Sequence, residues 1–186
     1  MRKKVILVDS DVISHFIAAN KIDDLTRILE PHALMTVDKV YKESSYHPFL
    51  DNRKQELDEW LHNFHIPVIT IPDNNWNIKI EYAKLKKENP RLGEGERECM
   101  AIAKYGKEVI ASSNFRDVAE YCDANGIEYI GFMDILFIAV AKGIYTPEAC
   151  NDIIHVITVI NQAKLPVYKI EEYKPTRDFG EFICTL

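Results

Sequence analysis

Two aspartates stand directly behind a short apolar run near the start of the sequence. In VILVDSDVIS (5–14), four apolar residues precede Asp9, and Asp11 follows two positions later. Such a run is typical of a buried strand, and carboxylates at its end cost free energy because burial and like charge both disfavour ionisation. Either a function that needs these carboxylates or a helix that Asp9 caps would offset this cost.

Further polar residues follow other apolar segments of the chain. Glu43 follows the apolar segment ALMTV, and Ser113 and Asn114 follow KEVIAS, with Asp117 a turn later. Glu94 and Glu96 open the helix in GEGERECMAIA, after the helix-breaking NPRL. In open parallel sheets, ligands bind outside the carboxyl ends of the strands. We therefore expect several of these side chains to converge on the end of the first strand.

The elements that would position these residues alternate along the chain. Apolar runs predict strands at 3–8, 33–37, 66–71, 107–112 and 127–131. Helical spacing predicts helices at 11–20, 23–30, around Val40 and Glu43, 55–64, 76–88, 95–106, up to about 124, 132–142 and 147–162, before an extended tail after Pro166. This alternation predicts an α/β fold of three layers, with a central, mostly parallel sheet flanked by helices.

The composition narrows the class of protein. The 23 basic and 29 acidic residues give a net charge of −6, which excludes nucleic-acid binding by bulk positive charge but is compatible with a carboxylate cluster that binds divalent cations. The cysteines form no CxxC pair, and no apolar run is long enough for a bilayer. We expect a cytoplasmic protein with buried thiols and no membrane association.

The motifs in order resemble the PIN domain, the nuclease fold of VapC-type toxins and related RNA-processing enzymes. The resemblance covers residues 1–145 through VILVDSDVIS, TVDKVYKES, GEGERECMAIA and VIASSNFRDVAEYCDANGIEYIG, and GFMDILFIAVAKGIYTPE resembles the closing helix of many members. Residues 146–186 are then expected to add a C-terminal helix and an extended tail to the same domain.

The resemblance implies a site for Mg²⁺ or Mn²⁺ and assigns roles to named residues. It makes Asp9, Glu43 and Glu96 metal-binding catalytic residues, with Asp11 and Glu94 as further candidate ligands. Asn114 is also a candidate metal ligand, although relatives usually carry Asp at this position. Asp117, one turn further along, is a candidate catalytic residue that would supply the missing charge. The substrate-binding candidates are Ser113, Arg97 and Arg116, the two arginines lying at a basic lip with KLKKENPR (84–91).

The same resemblance implies a metal-dependent endonuclease. We expect the ions to orient a water for attack on a phosphodiester, with RNA as substrate in preference to DNA. A toxin role with a small antitoxin partner, and a homodimer, are further expectations of the resemblance.

Two other functions fit parts of the sequence. DSDVI and VIASSN are similar to motifs of haloacid-dehalogenase-like phosphatases, in which Asp9 would be the nucleophile and Asp11 the acid–base, although the late acidic pair of that family is missing after IEYIG. A PIN domain that has lost catalysis and serves in binding would suit the neutral Ser113 and Asn114. Phosphatase activity and metal binding discriminate between these alternatives.

Overall fold

A five-stranded parallel sheet flanked by helices forms the centre of the fold. The computed structural model describes residues 3–45 and 52–183, without the side chains of residues 115–117, and it confirms the predicted α/β fold class. The strands of this part of the chain are β1 (Val5–Val8), β2 (Ala33–Val37), β3 (Val68–Ile69), β4 (Val109–Ala111) and β5 (Tyr129–Ile130).

The strand order β3-β2-β1-β4-β5 places the first strand in the middle of the sheet. The chain builds one half of the sheet outward from β1 and then crosses over to build the other half from β4. Val8 pairs with Ala111, so the residues that follow β1 and β4 emerge side by side. The direction of winding reverses between these two strands, and the crevice at such a reversal is where α/β folds bind ligands.

The helices cover both faces of the sheet and connect its parallel strands. Within the described residues they are α1 (Ser10–Ala18), α2 (Ile22–Leu29), α3 (Asp38–Ser44), α4 (Arg53–Asn63), α5 (Trp76–Glu88), α6 (Glu94–Gly106), α7 (Phe115–Asn125), α8 (Phe132–Ala141), α9 (Pro147–Ile160) and α10 (Gly180–Ile183). Among them, no helix combines the length and the apolar character that crossing a membrane would require.

The core explains why the central strands carry little but apolar residues. Ile6, Leu7 and Val8 of β1 are fully buried because helices cover both faces of the sheet at this strand. The hydroxyl of Thr36 in β2 donates to the carbonyl oxygen of Val8 across 3.1 Å, which satisfies a buried acceptor at the end of β1. The strand that carries Asp9 therefore ends at a fixed point.

The C-terminal segment packs on the domain, but it is less extended than the sequence predicts. Helix α9 begins with the cap residue Thr146 and Pro147, and it contacts α1 and α8. A 3-10 turn at Ile170–Glu172 and α10 then interrupt the tail. Phe179 and Phe182 are buried, so apolar burial folds these residues back onto the sheet end.

Candidate functional site

The candidate site lies at the carboxyl ends of β1 and β4. Asp9 follows β1 directly, and its backbone N–H donates to the carbonyl oxygen of Ala111 across 2.9 Å. Ser112 follows β4, and its hydroxyl donates to Oδ2 of Asp9 across 2.9 Å. The parallel register of the two strands thus brings together residues that are more than one hundred positions apart.

Asp9 is almost fully buried, with 1% of its surface exposed. It is the N-cap of α1, and its Oδ1 accepts a hydrogen bond of 2.7 Å from the backbone N–H of Ser10. Capping is therefore part of its role, and Ser112 fixes its second oxygen. Because both oxygens have neutral donors, the carboxylate is held in one orientation at the base of the crevice.

Glu43 reaches the site from α3 and is held by the start of α6. The backbone N–H of Gly95 donates to Oε1 of Glu43 across 3.0 Å. A β-carbon at Gly95 would lie 2.7 Å from Oε2 of Glu43 and 2.6 Å from Cγ2 of Val40. Only glycine permits α6 to approach α3 this closely, because a side chain would occupy the space of the carboxylate.

A buried acid on α6 fixes the start of α3 and hence the position of Glu43. The residue before α3, Val37, has no side chain that can cap the helix. Oε2 of Glu98 instead accepts from the backbone N–H of Lys39 across 3.2 Å. Burial raises the pKa of Glu98, while hydrogen bonds from the backbone of Lys39 and Ile71 oppose the rise. This contact positions Glu43 through the helix that carries it.

Glu96 and Asn114 form the opposite side of the site. Oε2 of Glu96 accepts from the backbone N–H of Gly93 across 2.9 Å, so the residue also caps its own helix. Its Oε1 accepts from Nδ2 of Asn114 across 2.8 Å, and the backbone N–H of Asn114 donates to Oγ of Ser112 across 3.2 Å. One chain of hydrogen bonds therefore runs from Asp9 through Ser112 and Asn114 to Glu96.

The carboxylates lie near enough to perturb one another. Burial raises the pKa of Asp9 to about 8, and the negative charges of Glu96 and Asp11 contribute to the rise, while the hydrogen bonds from Ser112 and Ser10 oppose it. The pKa of Asp11 is raised by desolvation and by the charge of Glu43, whereas Arg53 opposes the rise. Asp11 itself remains exposed at the mouth of the crevice. The group therefore repels additional negative charge and favours a cation.

Two of the residues singled out in the sequence lie away from this group. The Oε2 of Glu94 forms an ion pair of 3.0 Å with Nζ of Lys39, and that hydrogen bond lowers the pKa of Glu94 at the solvent-exposed rim. Arg97 is buried, and its Nη1 donates to the carbonyl oxygen of Leu92 across 2.6 Å. Arg97 thus fixes the loop before α6, and the expectation that it receives a phosphate is corrected, because the guanidinium faces the interior.

The remaining candidates lie at the start of α7. Ser113 is partly buried, and its hydroxyl has no hydrogen-bond partner among the described residues. Arg116 and Asp117 belong to α7, but their side chains lie outside what the structure describes. The role of Arg116 in substrate binding and that of Asp117 in metal binding therefore stay predictions.

The chemistry of the donors fits a divalent cation, although the side chains are not already gathered around one point. Within residues 3–45 and 52–183, no three histidine, cysteine or acidic side chains lie close enough together to hold one ion. Carboxylate oxygens are nevertheless the ligands that Mg²⁺ and Mn²⁺ prefer, and a cation would offset the repulsion that raises the pKa of Asp9. Binding would draw the carboxylates of Asp9, Glu43 and Glu96 toward one another.

Sequence reasoning missed three residues that organise the site. The motifs do not single out Ser112 from its neighbours, although it is the first residue after β4. Gly95 is the residue whose missing side chain admits Glu43, and a glycine between two acids at the start of a helix is the signal that points to close approach. Lys39 at the rim could not be found, because its partner Glu94 is 55 positions away along the chain.

Comparison with known proteins identifies the family of the chain. The family model described as a PIN domain matches residues 5–165. No curated protein matches the sequence significantly. Among solved structures, a chain of VapBC-1 from nontypeable Haemophilus influenzae aligns with 17% sequence identity and a TM-score of 0.47, over 69% of this chain and 98% of that chain. The match to the family model covers most of the sequence, and the chain therefore belongs to the PIN-domain family.

Proposed function

We propose that the protein is a metal-dependent nuclease that hydrolyses RNA at the carboxyl ends of β1 and β4. The observation that carries the proposal is the burial of Asp9 beside Glu96 and Asp11, which raises its pKa to about 8. A domain gains no stability from packing carboxylates together in this way, whereas a bound cation would make the arrangement favourable. Perturbed acids in a crevice at a sheet reversal are typical of functional sites.

Asp9, Glu43 and Glu96 are the proposed ligands for Mg²⁺ or Mn²⁺. When bound, the ion would act as a Lewis acid that lowers the pKa of a water and neutralises negative charge on the phosphodiester. Ser112 holds Oδ2 of Asp9, and the backbone of Gly95 holds Oε1 of Glu43. These contacts limit how far each carboxylate must move when the ion binds.

Asp11 and Asn114 flank the proposed ligands. Asp11 is exposed, so its carboxylate can hold a water or a further ion at the mouth of the crevice. Asn114 presents an amide where relatives carry a carboxylate, and it orients Glu96 instead of adding charge. Asp117 on α7 remains the proposed source of a fourth carboxylate.

The proposed path of the RNA backbone follows the rim of the site. Lys39 lies there beside Glu94, and Lys86 of α5 is near enough to contribute to the lowered pKa of Glu94. Lysine side chains at the edge of an acidic crevice can hold the flanking phosphates in register without entering the site. The overall charge of −6 makes such local contacts necessary.

A homodimer, an antitoxin partner and a cytoplasmic location are further proposals that follow from the family resemblance. Size-exclusion chromatography of the purified chain tests the homodimer. Coexpression with the product of a short adjacent reading frame tests the antitoxin.

Cleavage of single-stranded RNA with Mn²⁺, Mg²⁺ or EDTA tests the function directly. We expect cleavage only with a divalent ion and its loss in Asp9→Asn, while Glu59→Gln, an exposed change on α4, keeps full activity. Calorimetry with Mn²⁺ should show weakened binding in the first variant alone. Equal Mn²⁺ affinity in both variants would refute the metal site.

A PIN domain without catalytic activity is the second candidate. The neutral Asn114 at the fourth position and the separation of the carboxylates in this structure favour it. It predicts that the wild-type protein binds Mn²⁺ but cleaves no RNA or DNA. The phosphatase alternative receives no such support, because a nucleophile must reach its substrate and Asp9 is buried with both oxygens hydrogen-bonded.

A further inference from the structure

A cavity opens beside the candidate site. It has a volume of about 440 Å³ and lies between α1 and the segment 160–165 at the end of α9. Asp11 and Ser113 line one side, so the cavity begins where the mouth of the metal site ends. Its size falls within the range of pockets that take small molecules or parts of larger ones, about 300–1,000 Å³.

Two buried polar atoms of residues at this cavity have no hydrogen-bond partner among the described residues. The Oγ of Ser113 and the Oδ1 of Asn161 are shielded from solvent, and neither forms a hydrogen bond within the part of the chain that the structure describes. An unsatisfied polar atom in the interior destabilises the fold, because its hydrogen bond with water is lost and not replaced. Both residues line the cavity, so a ligand with polar edges would satisfy these atoms once the side chains turned toward it on binding.

The orientation of Asn161 is fixed by α1. Its Nδ2 lies 2.9 Å from Nδ1 of His15 and donates to Oγ of Ser14 across 3.3 Å. His15 is buried, and desolvation together with the charge of Arg53 lowers its pKa to about 4. The imidazole is therefore neutral at physiological pH and can accept from the amide, which leaves Oδ1 of Asn161 as an acceptor.

The walls of the cavity differ from this polar base. Ile160 is 38% exposed and forms an apolar wall with Leu165. Lys164 is exposed at the rim. An apolar wall, hydrogen-bonding groups at the bottom of the cavity and a cation at its edge match three features of a nucleotide, which are the faces of its base, the polar edge of its base and its phosphate.

We propose that this cavity binds one unstacked nucleobase of the substrate, next to the phosphodiester that the protein cleaves. The proposal rests on the nuclease function and adds to it a source of sequence preference. Ser113 lies between Ser112 and Asn114, which hydrogen-bond to Asp9 and Glu96 respectively. A base bound against Ser113 therefore places its own phosphate within reach of the carboxylates. Single-stranded RNA suits such a pocket because its bases can be turned out of a stack.

Binding of nucleoside 5′-monophosphates in EDTA tests the pocket without catalysis. We expect saturable binding by the wild-type protein in NMR or calorimetric titrations, and a loss of about 3- to 10-fold in affinity in Ser113→Ala and in Asn161→Ala. Ser113→Ala removes no hydrogen bond made within the described residues, so a loss of folding cannot explain its effect. Asn63→Ala, an exposed asparagine at the end of α4, is the matched control and should bind normally.

Cleavage of a random-sequence RNA with Mn²⁺, followed by sequencing of the ends, tests whether the bound base belongs to the substrate. We expect a preference at one position beside the cut, and a weaker preference in both pocket variants. Nucleotide binding without any change of preference would overturn the substrate role, and cleavage by a protein that binds no nucleotide would overturn the pocket. Nucleotide binding by a protein that cleaves nothing would instead refute the nuclease function.

Discussion

The backbone N–H of Gly95 donates to Oε1 of Glu43 across 3.0 Å, and the absence of a side chain at Gly95 is what allows this contact. Gly95→Ala would place a methyl group 2.7 Å from Oε2 of Glu43 and 3.2 Å from the backbone of Val40. The side chain of Glu43 must then leave its position. We expect Mn²⁺ affinity to fall about 10- to 100-fold and stability to fall by about 1–3 kcal/mol.

Gly93 provides the matched control for this substitution. A β-carbon at Gly93 would meet Oε2 of Glu96 at 3.5 Å and Oε1 of Glu43 at 3.7 Å, which are ordinary contacts. Its φ of −60° suits any residue. Gly93→Ala should therefore bind Mn²⁺ nearly as the wild-type protein does. Equal losses in the two variants would show that the close approach at Gly95 is not what positions Glu43.

Removing the charge of Asp9 should stabilise the metal-free protein. Asn at this position can accept from Ser10 and donate to Ser112, so it replaces both hydrogen bonds while ending the repulsion with Glu96. We expect Asp9→Asn to be roughly 1–3 kcal/mol more stable than the wild type in EDTA at about pH 8. In thermal unfolding, added Mn²⁺ should then raise the melting temperature of the wild type but not that of Asp9→Asn. If Asp9→Asn is less stable than the wild type in EDTA, repulsion between Asp9 and Glu96 does not destabilise the metal-free protein.

The central strands of the sheet could be predicted from the sequence more completely than the edge strands. The apolar runs VILV and ALMTV specify buried central strands, because they offer no polar face. The predicted strands 66–71 and 127–131 shrink to Val68–Ile69 and Tyr129–Ile130 at the two edges of the sheet. An edge strand has a neighbour on one side only, so fewer backbone hydrogen bonds hold its ends, and apolar composition alone does not reveal this.

The side chains of α6 show why the direction of a functional residue is harder to predict. Arg97 follows Glu96 by one position, which is a rotation of about 100° around the helix. Because α6 packs against α3, α5, α7 and the sheet, this rotation turns Arg97 inward and buries it. The sequence shows a charge beside a candidate ligand, but the helix faces are assigned only by the packing of the other elements.

The cavity at Asn161 cannot be predicted from the sequence, because it depends on a contact between distant segments. Asn161 contacts Ser14 and His15 across a separation of more than 140 positions, and no local pattern records that α9 ends against α1. An asparagine at a helix end is common, because it can cap the last turn. Its contacts with Ser14 and His15 arise only from the packing of α9 against α1.

His15 should make the protein less stable in acid. Its pKa is lowered from 6.5 to about 4, so the unfolded chain binds a proton in this range that the native protein does not. Its contribution is present above about pH 6.5 and is lost progressively as the pH falls from there to about 4, by roughly 3 kcal/mol in total. Denaturant unfolding at several pH values should show a shallower decline in His15→Gln. His155→Gln, an exposed change on α9, should decline as steeply as the wild type.

Lys107 offers a stabilising substitution outside the site. It ends α6 with a φ of +65°, a conformation that costs L-residues about 1–2 kcal/mol and glycine almost nothing. Lys107→Gly should raise the free energy of unfolding by about 0.5–1 kcal/mol, after the greater entropy of glycine in the unfolded chain is deducted. Gly126 ends α7 in the same conformation with open space around it. Gly126→Ala should therefore lower stability, and a change of the same sign in both variants would refute the explanation.

The side chain of Asn114 is a neutral amide, so this position adds no negative charge to the site. Its Nδ2 donates to Oε1 of Glu96 across 2.8 Å, and Asn114→Asp would replace this bond with repulsion between two carboxylates. We expect the variant to be less stable than the wild type in EDTA. We also expect it to bind Mn²⁺ more tightly, because an anionic oxygen replaces a neutral amide at a position where the family resemblance predicts Asp.

Calorimetry and thermal unfolding with and without Mn²⁺ measure both effects of Asn114→Asp. The control is Asn63→Asp, which adds the same charge at an exposed position on α4 and should leave Mn²⁺ binding unchanged. If Asn114→Asp weakens Mn²⁺ binding or leaves it unchanged, the Asn114 side chain does not point toward the ion. The fourth ligand would then have to come from elsewhere, and Asp117→Ala, which should weaken Mn²⁺ binding if Asp117 is that ligand, is the variant that decides.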